Sequence, residues 1–251
     1  MHKRYGWRAL GVVLLLALGC KLGVAQIGPR YVLELPVPRA AAGPPALAPG
    51  RLQLLPQGLA LLEFQGVRLL MVAADAEGFR SDAVPDWPAV DLLLVTPARA
   101  GRYAGLAPLA QLGKLPVIVA ESLPGQSAAL LPASSNALFH PMQTWDALHL
   151  RKGKTRVWVT AMAGRPGAAG VGGFLLELGN NHASYRLYLG CEALAVDESA
   201  TLAQRLPGAD LALLPGEGAP QLLALRRGAA GGPAAVRPED GGAVLLAPRR
   251  R

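Results

Sequence analysis

The stretch Asp91-Leu-Leu-Leu-Val-Thr-Pro-Ala-Arg-Ala-Gly-Arg-Tyr-Ala-Gly105 decides how the rest of the chain is read. Leu92 to Val95 form an aliphatic run that Thr96 closes, and a turn of small residues follows. Tyr103 to Leu112 then carries a helix-like pattern, so the segment predicts a buried strand feeding a helix through a tight turn. Proteins with alternating strands and helices commonly place their chemistry at such junctions.

Upstream, Leu59–Phe64 and Val67–Val72 flank Gln65-Gly66, a compact hairpin signal. Tyr31–Val37 reads as an edge strand limited by its prolines, Pro38–Gly50 as a loop, and Asp75–Pro88 as a polar loop. Downstream, Leu115–Ala120 is a second apolar strand and Ser122–Leu131 a predicted helix. Phe174–Leu178 and Tyr185–Gly190 read as paired strands, Ser199–Leu206 as a helix and Ala209–Leu214 as a strand. This alternation predicts α/β layers.

The 251 residues are half hydrophobic, enough for one domain with a sizeable core. His2, Lys3, Arg4 and Arg8 precede the apolar run Ala9–Gly19, and Gly23-Val-Ala25 offers small residues for cleavage. Residues 1–25 therefore read as a secretory signal cut after Ala25, too short in its apolar part for a comfortable membrane span. An alternative takes Ala17-Leu-Gly-Cys20 as a lipoprotein box with Cys20 lipidated. Either reading predicts an exported protein, periplasmic or secreted, with residues 26–251 as a single domain. Membrane contact is then expected only through the signal segment or a lipid anchor.

The full chain holds 25 basic and 17 acidic residues, a net charge of +8. Removing residues 1–25 takes four basic residues and no acid, lowering the charge to +4. Such a modest, scattered charge without interleaved aromatics argues against a nucleic-acid partner. After cleavage Cys191 is the only cysteine, so no intramolecular disulfide is expected.

The opening stretch resembles the signature strand and loop of the metallo-β-lactamase superfamily, Thr/Ser-His-x-His-x-Asp-His-x-x-Gly. Thr96 and Gly105 match that pattern, while its ligand positions hold Pro97, Arg99, Gly101 and Arg102. Thr144–Pro166, through Val159-Thr-Ala-Met-Ala-Gly-Arg-Pro166, resembles the "V-T-A-x-P-G-R-H" segment of one branch. That branch includes ascorbate-6-phosphate lactonase-like proteins and the phospholipase D acting on N-acyl phosphatidylethanolamine. Its ligating His falls at Pro166, its bridging Asp at Cys191, and a final His approximately at Arg237. The Asp that usually ends the hairpin has its nearest counterpart at Val72, with Asp75 displaced. The resemblance spans about residues 58–238 and implies an αββα sandwich, two mixed β-sheets flanked by helices.

Hydrolysis in that fold uses zinc or another divalent cation to lower the pKa of a bound water and polarise the scissile group. Proline has no side-chain donor, glycine no side chain, and arginine is a permanent cation. The substitutions therefore predict no bound metal and no catalytic residue at these positions, hence a non-catalytic envelope or binding protein. The alternative is a metal-dependent hydrolase of phosphodiester, lactone or amide bonds with a relocated site. His140, His149 and His182 form no short-range ligand cluster. His149 is expected to face solvent between Leu148 and Leu150, and Cys191-Glu192 is the best remnant of a ligand pair. Gly164–Gly173 reads as a flexible loop at the pocket edge, and no serine has a nucleophile-elbow context. Arg99 and Arg102, on a loop entering the expected helix, predict a site for a small anion. Guanidinium groups grip carboxylates and phosphates bidentately, and a helix N-terminus would add to that preference.

Overall fold

The computed structural model describes residues 29–37, 49–97, 103, 105–164, 170–179, 183–194, 196–216, 220–225, 233–238, 242–247 and 249–250. Within them the chain forms two mixed sheets. The first has seven strands in the order β15-β2-β3-β4-β5-β6-β7. They are β2 Gly50–Leu55, β3 Leu59–Phe64, β4 Val67–Ala73, β5 Leu92–Thr96, β6 Pro116–Ala120, β7 Leu138–Met142 and β15 Ala243–Leu246. It is antiparallel from β15 to β4 and parallel from β4 to β7.

The second sheet runs β1-β8-β9-β10-β11-β12-β13-β14, with β16 attached to β11. Its strands are β1 Tyr31–Glu34, β8 Ala147–Lys152, β9 Thr155–Ala163, β10 Val171–Gly179, β11 Ala183–Gly190, β12 Leu211–Leu214, β13 Gln221–Ala224, β14 Ala234–Ala235 and β16 Arg249–Arg250. The pairs β1/β8 and β11/β12 are parallel and the others antiparallel.

Local sequence explains the hairpin. Gln65 and Gly66 have φ of 47° and 83°, the paired positive values that a two-residue turn needs to match strand twist. That turn fixes the register Phe64↔Val67 through Leu59↔Val72. β5 and β6 are buried at every position, as expected of parallel strands covered on both faces.

The layers follow from side-chain direction. Leu62, Leu69, Leu92 and Ile118 of the first sheet pack between the sheets against Leu150, Val157, Phe174 and Leu187 of the second. On the outer face of the second sheet lies α1, Val196–Arg205, whose Leu202 packs with Tyr188, Ala212 and Leu214. The outer face of the first sheet is covered by irregular chain, with Phe79, Leu106, Leu109 and Leu112 seated on Leu70, Leu93, Val95 and Val117. The sandwich is therefore sheet-rich and helix-poor.

Two expected helices are absent, each for a visible reason. Tyr103–Leu112 contains only a five-residue 3₁₀ turn, Ala107–Gln111. Its buried residues Leu106, Leu109 and Leu112 are spaced by three, which suits the 3.0-residue period of a 3₁₀ turn. The Tyr103 hydroxyl also ties the segment down, donating to Val95 O at 2.8 Å and accepting from Ala120 N at 2.7 Å. Ser122–Leu131 keeps only the short 3₁₀ turn Ala128–Leu130. There the buried Glu121 carboxylate accepts from Gly125 N, Ser127 N and the Ser127 hydroxyl, and Gly125 has φ of 79°. Those contacts hold the chain in a loop. The helix expected at Ser199–Leu206 forms, starting three residues earlier.

Candidate functional site

β4 and β5 run parallel, and so do β11 and β12; their C-terminal ends lie together at one end of the sandwich. A cavity of about 310 Å³ opens there. Ala60 and Met71 from the first sheet and Leu189 and Leu213 from the second line it, and all four belong to the inter-sheet core. The cavity thus continues the core to the strand ends. Gly190 belongs to the same wall, where a Cβ would meet Leu214 Cδ2 at 2.7 Å; the glycine lets β11 approach β12. Pro215, Gly216 and Pro220 complete that side.

Polar groups are few. The Thr96 hydroxyl donates to Val72 O at 3.4 Å. Asp75, two residues beyond β4, places an exposed carboxylate on the rim. This displaced aspartate is the sequence-highlighted acid that the fold brings to the cavity.

The other sequence candidates distribute as follows. Pro97 is buried directly after β5. Cys191 follows Gly190 and is 3% exposed, with its amide donating to Gly172 O at 3.0 Å. Burial, reinforced by the neighbouring Glu192 charge, pushes the thiol far above its ordinary range and keeps it protonated. Glu192 is half-buried rather than fully solvated. Arg237 is exposed beyond β14, and the preceding Val236 amide is bonded to Leu222 O at 2.8 Å. Arg99, Gly101, Arg102 and Pro166, with Cys20 and Ala25, lie outside the described residues, as does His182.

The two remaining histidines stand apart. His140 lies in β7, its ring edge-on to Tyr31 at 5.0 Å. Burial lowers its pKa, and its Nε2 is buried without a hydrogen-bond partner. His149, between the buried Leu148 and Leu150, is half-exposed with its ring 4.8 Å from Trp158. Burial first, and then Arg151 and Arg156, lower its pKa. The run Gly164–Gly173 is not a loop throughout, because Val171–Gly173 open β10. There a Cβ on Gly173 would meet the Tyr188 hydroxyl oxygen at 2.4 Å.

A zinc-type centre needs several deprotonated His, Cys, Asp or Glu donors converging at about 2 Å from the ion. Among the described residues no group of three or more such side chains could hold one. Among the described residues lining the cavity the one carboxylate is that of Asp75, and the thiol of Cys191, next to the lining Gly190, is kept protonated by burial. The described residues of this end do not fit a divalent metal. What they can do is remove an apolar group from water. Sequence reasoning missed the wall made by residues 213–216 and 220; its one signal was Leu-Pro-Gly at 214–216, a strand ended by proline.

Two mixed sheets stacked face to face, with a cavity where strands of both sheets end, make a sheet-rich, helix-poor sandwich. Solved structures similar to this chain include the metallo-β-lactamase fold protein YhfI from Bacillus subtilis, at 12% identity and a TM-score of 0.41, covering 66% of this chain and 70% of that one. Another is MEM-A1, a subclass B3 metallo-β-lactamase from a soil metagenome library, at 14% identity and a TM-score of 0.39, covering 67% and 77%. A third is a B3 metallo-β-lactamase with an active-site glutamic acid, at 14% identity and a TM-score of 0.40, covering 78% and 84%. Likenesses at these values say nothing about activity and do not single out the lactonase and phospholipase branch. No family model and no curated protein sequence matches the chain.

Proposed function

We propose that this chain is an exported, non-catalytic binding protein whose ligand occupies the cavity at the ends of β4, β5, β11 and β12. The observation that carries this reading is the cavity's lining, which among the described residues has aliphatic walls and one carboxylate, Asp75, where a hydrolase of this layout would gather metal ligands. The residues that the motif would need as donors are Pro97, Arg99, Gly101, Arg102, Pro166, Cys191 and Arg237 in the sequence. None is a His, Asp or Glu, and the one thiol is buried and protonated. Fold alone does not confer activity, so the reading rests on the site.

Metal analysis of the purified mature protein tests it. The expected result is no stoichiometric metal and a thermal midpoint indifferent to chelator. Tightly bound zinc, manganese or iron at one or two per chain would favour the metal-dependent hydrolase with a relocated site. Export is tested by intact mass from an exporting host, which should begin at Gln26 or at a lipidated Cys20; a soluble protein retaining residues 1–19 would overturn it.

Anion binding remains a component of this proposal through Arg99 and Arg102, three and six residues beyond Thr96 in the sequence. Among the described residues no helix N-terminus supports it, because the first turn after Tyr103 there is a short 3₁₀ turn. The guanidinium charges must then act alone. Small anions should stabilise the wild type more than the Arg99→Ala/Arg102→Ala variant; equal responses would remove the anion component.

A further inference from the structure

We infer that the cavity is a hydrocarbon site, taking an aliphatic chain of about ten to twelve carbons with its head group left at the Asp75 rim. The inference rests on the binding reading above and names its ligand class.

The walls supply the first argument. Ala60, Met71, Leu189 and Leu213 face the space between the sheets and present only carbon and thioether surface. The backbone behind them is engaged in sheet ladders, Ala60 with Met71, Leu189 with Leu213 and Ala73 with Thr96. The single hydroxyl, on Thr96, is directed at Val72 O. A polar ligand lying against these four walls would lose hydration and, among the described residues that form them, find no side-chain partner, which opposes binding there. An alkyl chain loses nothing and removes apolar surface from water on both sides.

Size supplies the second. An engineered apolar cavity of about 150 Å³ accepts benzene, a six-carbon ligand. The cavity here, at about 310 Å³, is twice that volume and suits about twice as many carbons. Position supplies the third. The apolar walls belong to the core between the sheets, the cavity opens to solvent, and Asp75 is exposed, so a polar head can keep water and a charge beside it while the chain lies against the apolar walls.

The test is a thermal-shift and calorimetric titration of the mature protein with 1-hexanol, 1-octanol, 1-decanol and 1-dodecanol, then with decanoate and decylamine, all below their aggregation limits. Affinity should rise several-fold with each added pair of methylenes up to ten or twelve carbons. Among ten-carbon ligands all three head groups should bind. Asp75→Asn should shift the preference from amine towards carboxylate and leave the alcohol unchanged. Ala60→Leu, which places three further carbons in the cavity, should weaken decanol at least tenfold.

A wild-type measurement guards against misfolding of that variant: the methyl signal of Met71 should move on adding decanol. The inference is overturned by the absence of any ten-carbon response, by affinities independent of chain length, by equal binding to folded Ala60→Leu, or by an unmoved Met71 methyl. Stabilisation by small polar anions without any alkyl response would sink the hydrocarbon site and leave the binding reading standing.

Discussion

His140 is half-buried in β7 against the Tyr31 ring, with an unpartnered Nε2. Burial depresses its folded-state pKa below the ordinary value of 6.5, so the unfolded chain binds a proton first as pH falls. Stability therefore rises with pH across the window just below 6.5 and is fully present above it. His140→Phe keeps a ring against Tyr31 and removes the titration. The difference in urea midpoint between pH 7.5 and 5.5 should shrink in this variant; an unchanged difference would assign the pH dependence elsewhere. Tyr103 carries a different kind of burden. Its hydroxyl bridges Val95 O and Ala120 N at the end of the β5/β6 ladder, and desolvation raises its pKa well above 10, so it stays a neutral donor. Tyr103→Phe leaves both backbone groups short of a partner and should cost about 2 kcal/mol in chemical denaturation; a loss under about 0.5 kcal/mol would show that the bridge contributes little. Trp145 is 66% exposed with φ of 73°, a left-handed conformation that costs a side-chain-bearing residue roughly 1–2 kcal/mol. The turn holds it there through Trp145 N to Ala161 O at 2.7 Å and Gln143 N to Asp146 Oδ2 at 2.7 Å. Trp145→Gly should raise stability by about 0.5–1 kcal/mol, and a destabilised variant would mean that the indole contributes packing that outweighs the strain.

Pairs of elements are joined across the sandwich at the end opposite the cavity. The β8/β9 hairpin reaches from the second sheet to the first through Lys152, whose Nζ donates to both Asp91 carboxylate oxygens at 2.8 Å and to Gly66 O at 2.7 Å. Asp91 also accepts from Arg68 N at 2.9 Å, and Thr155 donates to Gln65 O at 3.0 Å. Lys152 and Asp91 side chains are about one-fifth exposed, so water only partly replaces a lost partner. Lys152→Met should cost about 2 kcal/mol. Adding Asp91→Asn should cost less than the sum of the two single changes, which a double-mutant cycle in urea measures. Strict additivity would show that the pair is not coupled. Asp91 opens the stretch from which the fold was read, yet its clamp could not be foreseen, because its partner lies 61 residues away. Strands were legible because aliphatic runs and turn signals are local: the hairpin at Gln65-Gly66 and the run Leu92–Thr96 fall where expected. Of the three expected helices only that at Ser199–Leu206 was legible. A spacing of three in Leu106, Leu109 and Leu112 looks helical in sequence, and the Tyr103 hydroxyl and Pro108 decide for a 3₁₀ turn. Asp75 was legible as a displaced acid, while the apolar character of the cavity depends on which faces Met71 and Leu213 present, a result of register.

At the scale of the whole molecule the four layers are unequal. The inter-sheet core joins both sheets, and α1 covers the second sheet with hydrogen bonds internal to itself. The first sheet is covered by chain whose main-chain bonds are short-range and fewer, such as Leu109 N to Leu106 O at 3.0 Å and Leu112 N to Leu109 O at 3.3 Å. Those leucines are buried at 0% and 9% exposure, so the layer is anchored by side chains more than by backbone. Segments with few cooperative hydrogen bonds open locally at a free energy well below that of global unfolding. Strands buried on both faces, such as β5 and β6, release their amides only when the sandwich itself opens. Native-state hydrogen exchange should therefore separate the two. The amides of Leu109 and Leu112 should exchange by local opening, insensitive to low urea. Those of Leu93, Leu94, Val117 and Ile118 should follow the global denaturant dependence. An alkyl ligand in the cavity, which contacts the strand ends of both sheets, should slow the second group by raising global stability and leave the first unchanged. Equal protection of both groups would show that the irregular layer folds and unfolds as one unit with the sheets, and that side-chain burial alone suffices to make a helix-poor cover cooperative.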